Sequence, residues 1–181
     1  MNTNKSDEPS NWVIRFAPMI EAGGSVLDLA CGNGRHSNFL GSAGFSVTAV
    51  DRNISKISQD SEQIRWIEHD LEKGDQFLFK KQYFMGVVVT NYLYRPLIPA
   101  IINVLDENGI LIYETFSLGN EQYGRPANPD FLLKPGELFA ACSEKLRVIA
   151  YEEGTIKGPK PSVKQRICAI NCSSKVVPVL I

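Results

Sequence analysis

The sequence predicts a doubly wound α/β fold with a mostly parallel sheet and a C-terminal antiparallel hairpin, and three features carry that prediction. Between residues 25 and 115 short apolar runs alternate with stretches of helical character, the pattern of strands joined by crossover helices. Three of these runs stop at polar residues, at Asp51, at His69-Asp70 and at Asn91. Near the end of the chain two strand-like runs flank a tip containing Gly158, Pro159 and Pro161, as a hairpin requires. Parallel strands need crossovers that return the chain to the same edge, so helices cover both faces and the strand ends share one rim. In such sheets ligands sit at that rim.

Taken in order, an N-terminal extension and helix occupies residues 1–24, with its amphipathic part at residues 12–16. Residues 25–30 form a buried strand that enters the turn Cys31-Gly32-Asn33-Gly34. A helix over residues 35–43 carries Phe39, Leu40 and Ala43 on one side and ends at Gly44, which suits a left-handed cap. Strands follow at residues 45–50, 64–68 and 84–90. Nothing between residues 71 and 82 has helical periodicity, so that crossover is expected to be a loop. Pro99 suits the first turn of a helix reaching about residue 105, Asn108-Gly109 terminates it, and residues 110–115 make a fifth strand. Residues 136–142 are a short helix, and residues 145–151 and 162–171 close the chain as a hairpin.

The chain has 181 residues, 44% hydrophobic and 22% charged, which suits one domain over residues 1–181 with a proper core. A net charge of -1 gives no global attraction to a polyanion. Met1 to Ser10 lacks the apolar stretch of a signal peptide, and no run approaches the roughly 20 apolar residues of a membrane span. A cytoplasmic location is therefore expected. Cys31, Cys142, Cys168 and Cys172 form no Cys-x-x-Cys pair, and neither a disulfide nor a metal site is expected.

The chemistry concentrates in Val26-Leu27-Asp28-Leu29-Ala30-Cys31-Gly32-Asn33-Gly34. Gly32 and Gly34 lack the Cβ atoms that would keep a ligand from the backbone. Read as a dinucleotide loop, this stretch would need a third glycine where Ser37 stands, and Asp28 would repel a diphosphate but welcome an ammonium.

Asp28-Leu29-Ala30-Cys31-Gly32-Asn33-Gly34 resembles motif I of the class I S-adenosylmethionine-dependent methyltransferases, whose fold is Rossmann-like. Asp51, followed by Arg52, ends the second strand at the interval of about 20 residues expected for a ribose-binding carboxylate. His69-Asp70-Leu71 looks like the family's adenine site, and Asn91-Tyr92-Leu93-Tyr94-Arg95-Pro96 falls where the family places the edge between cofactor and methyl acceptor. The resemblance thus implies S-adenosylmethionine held by Asp28, Ala30, Cys31, Gly32, Gly34, Asp51, Arg52, Asp70, Leu71 and Asn91. More narrowly, Tyr113-Glu114-Thr115-Phe116, Gly119-Asn120-Glu121 and the stretch from Asn128 to Leu138 resemble small bacterial methyltransferases loosely related to the tellurite-resistance type.

The expected acceptor side is formed by Tyr92, Tyr94, Arg95, Glu114, Phe116, Asn120 and Arg125, with residues 117–135 too long for a simple turn and suited to a lid or substrate loop. Simpler roles compete: strand-end aspartates cap turns, tyrosines pack, Arg95 forms an ion pair, His36 is solvated in a first helical turn, and Lys157, Lys160, Lys164 and Arg166 belong to a solvated hairpin tip. Asn91-Tyr92-Leu93 departs from the Asn-Pro-Pro-aromatic signature of base methylation and no Pro-Cys dipeptide occurs, which favours a small-molecule acceptor over nucleic acid, handled by a monomer or homodimer. Two other readings stay open: a non-catalytic S-adenosylmethionine-binding regulator, and a nicotinamide-dependent oxidoreductase, against which the missing glycine and Asp28 count.

Overall fold

Strands buried on both faces build the centre of the computed structural model, which describes residues 8–55, 57, 61–73, 78–79, 83–158 and 160–173. The elements are α1 (Asn11–Phe16), β1 (Ser25–Leu29), α2 (Arg35–Ser42), β2 (Ser46–Asp51), β3 (Ile64–Glu68), β4 (Phe84–Thr90), α3 (Ile98–Asn103), β5 (Leu105–Phe116), α4 (Glu137–Ser143), β6 (Arg147–Ile156) and β7 (Ser162–Ile170). The sheet runs β3-β2-β1-β4-β5-β7-β6. β1 to β5 pair in parallel, while β7 runs antiparallel between β5 and β6. This is the Rossmann-like arrangement with a closing hairpin that the alternation and the terminal strand pair predict.

Two cores lie on opposite sides of the sheet. On one, Trp12, Val13 and Phe16 of α1 and Leu40 of α2 pack on Val26, Val47, Val88 and Ile112. On the other, Ile101 and Ile102 of α3 and Leu138 and Cys142 of α4 pack on Leu27, Val87, Leu111 and Ile167. Each fully buried aliphatic or aromatic side chain contributes about 1.5 to 3 kcal/mol. The β-branched run Val87-Val88-Val89 serves both cores at once, as a central parallel strand must. Trp12 fixes α1 across the sheet by donating its indole N–H to the Ile167 carbonyl at 3.1 Å.

Two boundaries differ from the sequence expectation. α3 stops at Asn103, and Asn108-Gly109 shapes an irregularity within β5 instead of ending a helix. Leu105 already pairs with Phe84, the register shifts before Ile110 pairs with Gly86, and Asn108 turns the chain with φ +64°. A side chain at Gly109 would meet the Phe84 carbonyl at 2.8 Å. β6 continues to Ile156, five residues past its expected end at Tyr151, because Glu152 and Glu153 pair with Arg166 and Gln165 of β7, and these polar partners hide the strand from an apolar pattern. The loop expected over residues 71–82 falls mostly outside the described residues.

Beneath the first turn of α2 three polar groups are buried. His36 is 1% exposed, not solvated: Ser10 N–H donates to Nε2 at 3.1 Å, so the neutral ring carries its proton on Nδ1, which lies 3.2 Å from Thr90 Oγ1. Burial, with help from Arg35 and Lys164, depresses His36 to about 3. Asp28 is 1% exposed and accepts from Ser37 Oγ at 2.6 Å, and burial raises it to about 7.

These two groups act oppositely on stability. A histidine lowered from 6.5 to about 3 costs stability as pH falls below 6.5, because only the unfolded chain takes up the proton. A carboxyl raised from 3.8 to about 7 costs stability as pH climbs from 3.8 toward 7, because only the unfolded chain gives the proton up. Between 3.8 and 6.5 the two cancel. Relative to wild type, Asp28→Asn should add a loss of up to about 1.4 kcal/mol per pH unit on acidification below 6.5, and His36→Gln the same loss on raising the pH above 4. Urea midpoints measured at half-unit pH intervals check both slopes.

Candidate functional site

Five parallel strands end on one rim, and the loop after β1 forms its centre. Cys31 N–H donates to the Val50 carbonyl at 3.0 Å, Gly34 N–H to the Cys31 carbonyl at 3.0 Å, and Gly32 N–H to Asp51 Oδ2 at 2.8 Å. The turn is thus bound to the end of β2. Ala30, Gly32 and Gly34 have φ of +54°, +60° and +78°, so Ala30 holds a left-handed conformation that an ordinary side chain adopts at a cost of about 1 to 2 kcal/mol. A Cβ on Gly32 would enter open space, whereas one on Gly34 would lie 2.5 Å from the Trp66 ring. Glycine at 34 therefore allows β3's tryptophan to support the loop from below.

Beside this loop lies a cleft of about 390 Å³. Its wall comes from Ala30 after β1, Asp51 and Arg52 at β2, the stretch His69 to Glu72 after β3, and Asn91 to Leu93 after β4, with Phe131 at the mouth. Asp51 Oδ1 also accepts from Asn53 N–H at 3.1 Å, so each oxygen has one backbone donor and keeps a lone pair for a ligand hydroxyl. Asp70 caps its own turn by accepting from Glu72 N–H at 3.1 Å, a bond that holds its carboxyl below the usual range. Asn91, like Ala30, has positive φ, +55°. Two non-glycine residues in the left-handed region flank one cleft, the placement expected where a site dictates the backbone.

Of the residues read as cofactor contacts, Ala30, Asp51, Arg52, Asp70, Leu71 and Asn91 line this cleft. Gly32 and Gly34 shape its loop. Asp28 does not reach it: one carboxyl oxygen accepts from Ser37, and the other is buried with no partner among the described residues. Cys31 is buried among apolar side chains, and burial pushes its thiol well up. His69 and Leu93, which belong to the two strand-end stretches singled out in the sequence, also line the cleft, and Glu72 and Phe131 join it without a sequence signal beyond their places after a strand end or within the long loop.

The residues read as acceptor contacts divide. Tyr92 lines the cleft and packs partly on the core, its carbonyl accepting from Tyr113 Oη at 3.0 Å. Tyr94 packs on the same core. Arg95 spends four of its five N–H donors on protein partners: Nε and Nη2 donate to the two oxygens of Glu137 at 2.6 and 3.0 Å, Nη1 donates to the Asp130 carbonyl at 2.7 Å, and Nη2 to the Leu132 carbonyl at 2.9 Å. Asn120 is buried, donating to the Pro126 carbonyl and accepting from Val163 N–H. Arg125 is exposed on the loop and is not among the residues of the cleft wall, whereas Glu114 and Phe116 gather around Lys164 at the ends of β5 and β7.

The segment 117–135 is therefore a tethered loop. Ser117 and Leu133 bridge its ends, Asn120 fixes one flank to β7, and the Arg95 fork holds the other against α4. Phe131, 49% exposed, is the part left at the cleft mouth. Arg95→Ala is expected to lower the unfolding free energy by about 1 to 3 kcal/mol in urea titration and to open residues 120–132 to limited proteolysis. Arg95→Lys should recover only part, because an ammonium cannot reproduce the two-pronged carboxylate contact.

Comparison with known proteins places this geometry. The family model described as tellurite resistance protein TehB matches residues 10–139. No curated protein matches the chain. Among solved structures, TehB from Haemophilus influenzae superposes with a TM-score of 0.70 at 20% identity over 90% of this chain. The chain spans 62% of that protein's length. A TehB-like SAM-dependent methyltransferase from Corynebacterium glutamicum gives 0.64 at 20% identity, covering 88% of this chain and 86% of the other. The 1,6-didemethyltoxoflavin-N1-methyltransferase of Burkholderia thailandensis, solved with 1,6-didemethyltoxoflavin and S-adenosylhomocysteine, gives 0.65 at 17% identity, covering 90% and 76%. With a family match that includes the strand-end loop, the cleft wall and the tethered segment, this chain belongs to the TehB family.

Proposed function

We propose that this chain is an S-adenosylmethionine-dependent methyltransferase acting on a small-molecule acceptor. The observation that carries the reading is the cleft itself: a carboxylate with spare lone pairs at the end of β2, 2.8 Å from a loop whose Gly32 leaves open space above the backbone. That pairing suits the vicinal hydroxyls of a ribose next to a group lying close against the main chain. The volume suits a ligand of nucleoside size. A diphosphate finds less support, since Asp51, Asp70 and Glu72 all border the cleft and, among the described residues, Arg52 is the one arginine or lysine in its wall.

When bound, S-adenosylmethionine supplies a methyl group already activated on a sulfonium. The chain's part is to bind and align. Asp51 would take the ribose, the His69 to Glu72 stretch and Leu93 would border the base, and the Ala30 to Gly34 loop would carry the amino-acid portion. Asp28, buried and bonded to Ser37, would act by fixing α2 beneath that loop instead of meeting the ligand. Phe131 and the tethered segment would screen the cleft mouth from water.

Calorimetric titration with S-adenosylhomocysteine and NADH side by side should show binding of the first alone; the reverse would replace a transferase with an oxidoreductase. Asp51→Ala should weaken S-adenosylhomocysteine binding by about 1 to 3 kcal/mol, the scale for losing a charged acceptor. Unchanged affinity would remove Asp51 from the ribose position.

A further inference from the structure

On one wall of the cleft, Tyr92 presents a hydroxyl that the fold itself does not use. Its main chain is pinned, the Tyr113 hydroxyl donating to its carbonyl at 3.0 Å, and its ring packs partly on the core that carries α3. The oxygen at the far end of that ring is buried, with no hydrogen-bond partner among the described residues. A phenol in that position has given up water without receiving a partner in exchange, which counts against stability. Burial holds it above its ordinary range, and the Glu72 carboxylate pushes in the same direction, more strongly than Tyr94 or Asp70.

Glu72 stands on the opposite wall, in the turn that follows β3. Leu71 anchors that turn on the same core, and Asp70 closes it. Asp70 Oδ1 accepts from Glu72 N–H at 3.1 Å, its carbonyl accepts from Lys73 N–H at 3.2 Å, and Lys73 Nζ stands 3.5 Å from Oδ2. Glu72 is exposed and lines the cleft, and no cation among the described residues pairs with its carboxylate. In the sheet β2 and β1 lie between β3 and β4, so those two strands are three spacings apart, about 14 Å. A bond between Tyr92 and Glu72 therefore joins the two walls across the strand ends that carry Asp51 and Ala30.

We infer that Tyr92 is a positioning residue for the cofactor: with ligand in the cleft its hydroxyl donates to the Glu72 carboxylate, drawing the turn after β3 against the strand end after β4 and so retaining the nucleoside. This rests on the cofactor reading above. Of the two carboxylates near the hydroxyl, Asp70 is turned to Glu72 N–H and Lys73, which leaves Glu72 as the acceptor. The bond gives a desolvated donor an ionised partner, and such bonds are strongest where water is excluded. A ligand that displaces water from between the walls supplies that exclusion. Tyr92 thereby acts on how long the cofactor stays, a role distinct from the acceptor contact expected from its place in the sequence.

A purely structural hydroxyl and one that retains a ligand differ in what their loss does. Tyr92→Phe deletes only the oxygen, and removing an unpaired buried donor should leave the urea midpoint of the free chain unchanged or raise it. Release of tritium-labelled S-adenosylhomocysteine, followed in a chase with excess unlabelled ligand, should nonetheless quicken by about tenfold. Glu72→Ala, at an exposed position, should quicken release to a similar extent, and the double variant no more than either alone. Glu72→Gln, whose amide oxygen still accepts, should quicken it less. Hydrogen exchange at the amides of residues 71–73 should slow when S-adenosylhomocysteine is added to wild type, and much less in Tyr92→Phe. Unchanged release in Tyr92→Phe, or single effects that multiply in the double variant, would overturn the inference. Failure of S-adenosylhomocysteine to bind wild type would instead remove the methyl-transfer reading and the inference with it.

Discussion

The hydrogen bond from Gly32 N–H to Asp51 Oδ2 is the constraint on which the site is built. It ties the loop after β1 to the carboxylate after β2, and in doing so fixes both the backbone that a ligand would lie against and the acid that would orient it. The loop cannot relax independently, because Cys31 N–H is bound to Val50 and the Trp66 ring lies under Gly34. The left-handed backbone at Ala30 is held by this network from both sides.

The polar groups beneath α2 serve the same end. Asp28 on β1 meets Ser37 of α2, and His36 of α2 joins the N-terminal segment at Ser10 to the end of β4 at Thr90. These bonds hold the first turn of α2, which the loop feeds, against the strands that carry the rest of the cleft. Burying groups of this kind is costly unless they are paired, and an Asp28 oxygen without a partner among the described residues accords with a carboxyl that keeps its proton toward neutral pH.

On the acceptor side the charged residues divide by what they already hold. Arg95 stands nearer the long loop, yet Glu137 and two carbonyls take all but one of its N–H donors, so it shapes the loop. Lys164 comes from a strand remote in sequence and reaches the cleft through Asn91. The difference lies in the geometry of neighbours, not in residue type.

The sequence by itself determined that most of the sheet is parallel, that a hairpin closes it and that Ala30, Asp51, Asp70 and Asn91 share one rim, because each of these rests on local signals: apolar runs of strand length and polar residues where they stop. It could not determine that Asp28 turns into the core, since a strand residue's face depends on which helix covers it, nor that Asn120 and Arg95 spend their donors on backbone carbonyls of a loop whose path is set by distant contacts. Lys164 read as part of a solvated tip because the register of β7 against β5, which sets it opposite Phe116 and beside Glu114, exists only once strands far apart in the chain are paired. Periodicity and strand-end chemistry act over a few residues; register, burial and the partners of long side chains are decided by tertiary packing.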